Sequence, residues 1–190
     1  MTKIVLVRKR AAIRSRPPGN TPLEGIDPEG IDVDAFEWAC CMCTHATYLC
    51  AGVKKRVDEK AFRSAYVSIR PAMESALKSL WVVGKVQKKT LSQTLKALAT
   101  EVEKVFPDFY NIFSVQMSAK DSLGNDAYRK INGWAHADPE MWNLYKDGQE
   151  VDHVLKPLDN MVCFAQHQLL RYDPTLVTDG RYWTRKYESH

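Results

Sequence analysis

The sequence predicts an all-α protein: an antiparallel bundle of about four to six helices behind a short, extended, basic N-terminal arm. Three observations carry that expectation. Apolar residues recur at helical spacing between residues 34 and 172. No β-rich stretch follows the first seven residues. Helix-stopping residues, among them Gly84, Pro107, Gly148 and Pro174, separate the periodic segments. The chain accordingly divides into an arm or linker at 1–33, a helical bundle at 34–175 and a C-terminal tail at 176–190.

The arm opens on a β-prone run, Lys3 to Val7, and carries Arg8, Lys9, Arg10, Arg14 and Arg16 before a segment crowded with Pro and Gly. Those five cations are the candidates for a nucleic-acid-binding arm. Asp34-Ala35-Phe36-Glu37 reads as a capping box opening the first helix, with Phe36, Cys40, Cys43, Thr47 and Cys50 at helical spacing. Gly52 and Lys54-Lys55-Arg56 suggest its end. The second helix runs from near Asp58 to Val83, with an apolar stripe from Phe62 to Trp81 and a kink expected at Pro71. A third spans Leu91 to Phe106, stopped by Pro107, and residues 108–117 continue as a short apolar helix. Ser118 to Asn125 is a polar loop, after which Asn125 or Asp126 can cap a helix through Ala135. Asp138-Pro139 starts a further turn, and Val151 to Tyr172 forms the last long helix.

At 190 residues, 45% hydrophobic and 26% charged, the chain can bury one full core. Its net charge of +4 is too small by itself to mark a nucleic-acid binder. No apolar run approaches the roughly 18 residues a membrane span needs. Ile4-Val5-Leu6-Val7 followed by Arg8-Lys9-Arg10 is too short for a signal peptide, so a cytoplasmic protein is expected. Cys40, Cys41, Cys43, Cys50 and Cys163 have no second cluster with metal-ligand spacing and are read as free thiols. Neither metal nor cofactor is expected.

The chemistry concentrates in Tyr128-Arg129-Lys130-Ile131-Asn132-Gly133-Trp134-Ala135-His136-Ala137-Asp138. On a helix, Arg129, Asn132 and His136 share one stripe while Ile131 and Trp134 turn to an apolar one. An imidazole titrates near neutrality and suits proton transfer. A guanidinium fork can clamp phosphate oxygens, and the Asn132 carboxamide can orient the imidazole. Arg70 and Glu74, i and i+4 beside Pro71, form a charged pair expected to face Arg129. His45, His153 and His167 are expected on helix faces without a nearby partner.

Arg129-x6-His136, late in an all-helical domain, resembles the Arg-x(4–6)-His signature of the HEPN superfamily. Ile69-Arg70-Pro71-Ala72-Met73-Glu74, leading to Leu80-Trp81, is similar to an Arg-x-x-x-Glu helix of bacterial relatives near the abortive-infection branch. The resemblance covers roughly residues 35–172. It implies a metal-independent endoribonuclease of toxin or phage-defence type whose site forms across a homodimer, with RNA as substrate and an antitoxin or other protein as partner. Arg129, Asn132 and His136 would be catalytic, and Arg70, Glu74 and Lys130 would contact substrate. Active members often place Asn, Asp or His directly after the arginine; here Lys130 stands there and Asn132 is the candidate for that role. Many members of the superfamily only bind or scaffold, so a non-catalytic helical module remains the alternative.

Overall fold

A computed structural model describes residues 33–84, 94–173, 176–178 and 183–185. Arg8, Lys9, Arg10, Arg14 and Arg16 lie outside the described residues, as does most of the tail. Among the described residues the fold is all-α apart from one small hairpin. Its helices are α1 (Val33–Asp58), α2 (Phe62–Val83), α3 (Leu95–Val105), α4 (Val115–Ser118), α5 (Ala127–Ala135), α6 (Pro139–Leu144) and α7 (Asp152–Tyr172). A π-helical turn, Tyr110–Ser114, runs directly into α4. No described helix is long and apolar enough to cross a membrane.

Local chemistry sets most of the boundaries. α1 begins at Val33, so Asp34 of the expected capping box lies inside the first turn. It also continues past Gly52 to Asp58, because Val53 is fully buried and its burial offsets the roughly 1 kcal/mol a mid-helix glycine costs. α2 runs through Pro71 without a break. The proline sits on the solvent side, where water can satisfy the carbonyl that loses its intrahelical donor. α3 starts on Thr94, whose hydroxyl accepts from the Ala97 N–H at 3.2 Å. It ends at Val105, just ahead of the residue that Pro107 biases away from helix. Asp126 caps α5 through the Arg129 N–H at 2.8 Å, and Asp138 caps α6 through the Glu140 N–H at 2.9 Å.

The expectation of no β-rich stretch after the first seven residues is corrected here. Leu176–Thr178 (β1) and Trp183–Arg185 (β2) pair antiparallel, with Val177 opposite Thr184, and β2 lies alongside α1. β-branched and aromatic residues flank an Asp179-Gly180 turn sequence, a hairpin signal that the polar composition of the tail masks.

α2 is the central element and packs against α1, α7, α3 and α5. Ile69, Met73, Ala76, Leu77 and Leu80 are completely buried along it, meeting core residues such as Leu158, Met161 and Leu169 of α7. The joint between α2 and α5 is aromatic. Tyr66 stacks on Trp134 with centroids 4.0 Å apart, and Trp134 meets Tyr145 edge-on at 5.7 Å. The Tyr66 hydroxyl donates to the Tyr145 carbonyl at 2.7 Å, which ties the end of α6 to the same joint. Gly133 lets α6 close over α5: a Cβ there would stand 2.3 Å from Met141 Cγ and 2.8 Å from Met141 Cβ.

Gly133→Ala should therefore destabilise the protein by about 1–3 kcal/mol despite the better helix propensity of alanine. Urea denaturation checks it, and an unchanged or raised midpoint would remove the close-packing role of Gly133.

Candidate functional site

The cluster is built from two helices. Tyr66 anchors α2 to α5 through its stack on Trp134, and Arg70 stands one turn further along α2. Trp134 points into the core, which leaves Asn132 and His136 on the exposed side of α5. Arg70 reaches across to them. Its Nε donates to Glu74 Oε1 at 2.8 Å, and its Nη1 lies 3.4 Å from both Asn132 Oδ1 and His136 Nε2. A guanidinium can only donate, so this contact is a hydrogen bond only when His136 Nε2 is the unprotonated ring nitrogen.

His136 is also the C-cap of α5. It is followed by Ala137 at φ 54°, a left-handed position for a residue with a Cβ. The Asp138 N–H donates to the Gly133 carbonyl at 2.8 Å and closes the turn. That turn sends the chain into α6 and leaves the imidazole at the exposed corner.

Four of the sequence-derived candidates, Arg70, Glu74, Asn132 and His136, therefore converge. Arg70 and Glu74 face Asn132 and His136 where Arg129 was expected. Arg129 forms a long ion pair with Glu140, 3.7 Å, with both side chains more than half exposed. Such a pair adds little stability.

Lys130 has a different place from the one its neighbours suggested. Its side chain is completely buried, 2.5 Å from the equally buried Asp121 Oδ2, so it does not line the exposed cluster. The ammonium also approaches the Glu150 carbonyl at 3.4 Å, His153 Nδ1 at 3.2 Å and the face of the Tyr145 ring at 4.7 Å. Asp121 Oδ2 also accepts from the Tyr145 hydroxyl at 2.6 Å, and its Oδ1 accepts from the Asn125 N–H at 2.8 Å. Burial works against the Asp121 carboxylate, but its bonds to Lys130, Tyr145 and Asn125 outweigh that and hold its pKa well below the usual range. Desolvation, followed by the Lys130 charge, pushes the His153 imidazole below its ordinary value.

His153 and His45 both have partners, contrary to the sequence expectation; His45 Nδ1 lies 3.0 Å from the buried Ser75 Oγ. The partners come from elements 20–30 residues away, which helical periodicity cannot reveal. The cysteines are free thiols. Among the described residues, no group of three or more His, Cys, Asp or Glu side chains could hold a metal. Compared with family models, with curated proteins and with solved structures, the chain matches none.

Lys130→Ala leaves a buried carboxylate unpaired and should cost about 3–5 kcal/mol by chemical denaturation. A loss under 1 kcal/mol would mean that Asp121 is resolvated without it.

Acid should weaken the fold in two steps. The folded His153 pKa is lowered, so the unfolded chain takes up that proton first; this contribution is complete above about pH 6.5 and is lost as pH falls below it. The folded Asp121 pKa is also lowered, so its contribution is present above about pH 4 and is lost as pH falls further toward the folded value. His153→Gln should flatten the upper step alone in a stability-against-pH series, and an unchanged upper slope would assign it to another group.

Proposed function

We propose that the Arg70–Asn132–His136 cluster handles a phosphodiester, and that the protein is a HEPN-like, metal-independent endoribonuclease acting as a homodimer. What supports the reading is the meeting of a guanidinium, a carboxamide and an imidazole able to accept a proton, at the exposed edge of a rigid two-helix joint. In this reading His136 removes the proton from a ribose 2′-OH. The 2′-oxygen attacks phosphorus, the bond to the 5′-oxygen breaks, and the products are a 2′,3′-cyclic phosphate and a 5′-hydroxyl. Arg70 supplies the phosphate clamp at the cluster itself, with the exposed Arg129 as a second cation. Glu74 holds Arg70 in place. A second copy's His136 would supply the proton that the leaving oxygen needs. A toxin or phage-defence role, with an antitoxin or other protein partner, extends the same reading.

A second reading is favoured by one specific observation: Arg70 already bonds Glu74, Asn132 and His136. The cluster would then be a polar tie between α2 and α5 in a non-catalytic binding or scaffold module, with nucleic acid held by the basic arm.

RNA cleavage in EDTA by wild type, Arg70→Ala and His136→Ala separates the two. The enzyme reading expects cyclic-phosphate ends from the wild type and at least about a 100-fold loss in each variant. It also expects the His136→Ala stability to stay within about 0.5 kcal/mol of wild type, because the side chain is exposed. Absence of cleavage over a broad RNA panel by folded, dimeric wild type overturns it. RNA binding that weakens steeply with salt and disappears on deleting residues 1–20 supports the arm instead.

A further inference from the structure

The seam between α1 and α7 is registered by two side-chain bridges. Gln166 Nε2 donates to Thr47 Oγ1 at 2.9 Å, and Lys54 Nζ meets Asp159 Oδ1 at 2.6 Å. Those pairings make the helices antiparallel. Three residues along α1 from Thr47 is Cys50, and three residues back along α7 from Gln166 is Cys163. The two thiols therefore stand level, bracketed by the bridges. Cys50 is 4% exposed on the core side, with its Sγ 3.9 Å from Asp159 Oδ1, whereas Cys163, one turn past Asp159, is exposed.

We propose that Cys163 and Cys50 form an oxidation-sensitive pair, with Cys163 the thiol that meets a peroxide and Cys50 the thiol that resolves it into a disulfide joining α1 to α7. The Cys163 thiolate attacks a peroxide oxygen, the O–O bond breaks, and hydroxide or alkoxide leaves, giving a sulfenic acid. Cys50, whose S–H points at the Asp159 carboxylate, loses its proton and attacks the Cys163 sulfur, expelling hydroxide. With hydrogen peroxide the balance is two thiols and one peroxide to one disulfide and two waters. The peroxide is the two-electron oxidant.

Burial, opposed by Lys54, pushes the Cys50 thiol up to about 11, and burial together with Asp159 raises Cys163. The pair is therefore slow at neutral pH and reacts faster as pH rises, which suits sustained oxidation rather than peroxide scavenging. Cys43, pushed up to about 12 mainly by burial, stays out of the exchange.

The test is hydrogen peroxide treatment of the full-length protein, followed by intact mass and non-reducing peptide mapping. The expected result is loss of two hydrogen atoms' mass, a linked peptide pair carrying Cys50 and Cys163, and reversal by a thiol reductant. Oxidation should proceed faster at about pH 9 than at pH 7, and the cross-link should raise Tm by about 5–10 °C, since it closes a loop of more than a hundred residues. Cys163→Ser, at an exposed position, should abolish the link with its unoxidised Tm kept. Cys50→Ala should instead accumulate oxygen adducts on Cys163. A link between other cysteines, a Cys163–Cys163 dimer between copies, or oxygen adducts on wild-type Cys163 without a link would overturn the proposal.

Discussion

The buried ion pair between Lys130 and Asp121 is the constraint on which the placement of the cluster depends. Removing an ammonium and a carboxylate from water costs several kcal/mol per ion, and their attraction alone seldom repays it. Here the surroundings do the rest. Tyr145, Asn125 and the backbone of the 121–125 turn satisfy the carboxylate, while Glu150, His153 and the Tyr145 ring surround the ammonium. These partners come from three separate stretches of chain. The pair is stable only when the loop before α5, the end of α6 and the start of α7 are all in place. The same condition fixes the rotation of α5 about its axis, and that rotation decides which residues face solvent.

The aromatic joint sets the other coordinate. Lys130 fixes how α5 is turned, and the stack of Tyr66 on Trp134 fixes how far it stands from α2. Apolar burial is non-directional and would tolerate sliding; two rings at 4.0 Å and 8° with the Tyr66 hydroxyl bonded to a backbone carbonyl do not. Arg70 follows Tyr66 by one turn and inherits its precision. An exposed cluster is thus held by two buried contacts, neither of which includes a cluster residue.

That division explains what was legible in the sequence. Helix existence was, because period 3.6 records which face is buried; α2, α5 and α7 fall where their apolar stripes put them. Capping residues also located α5, since the Asp126 bond is local. Arg70, Glu74, Asn132 and His136 could be listed from residue type, but the pairing of Arg70 with His136, rather than Arg129 with His136, depends on where α2 crosses α5. Lys130 was misplaced for a physical reason: a charged residue is read as exposed unless its partner is known, and Asp121 lies in a loop that polar composition marks as solvated. The hairpin was hidden in the same way, as three-residue strands carry too few alternations to register.

The Arg70–His136 contact has a consequence for the proposed chemistry. Arg70 Nη1 lies 3.4 Å from His136 Nε2 and competes for that nitrogen, so on the ribonuclease reading the contact opens before His136 takes a substrate proton. A phosphodiester is an acceptor for the same guanidinium and a stronger one than a neutral imidazole, because charge-assisted hydrogen bonds are roughly twice as strong as neutral ones. On the ribonuclease reading, binding the phosphate draws Arg70 off His136 and exposes the base in one movement. Glu74, bonded to Nε rather than to Nη1, can keep its hold throughout. As a structural tie, the 3.4 Å contact at an exposed edge contributes little to stability. A clamp that releases its base only when a phosphate arrives is served by such a contact being weak.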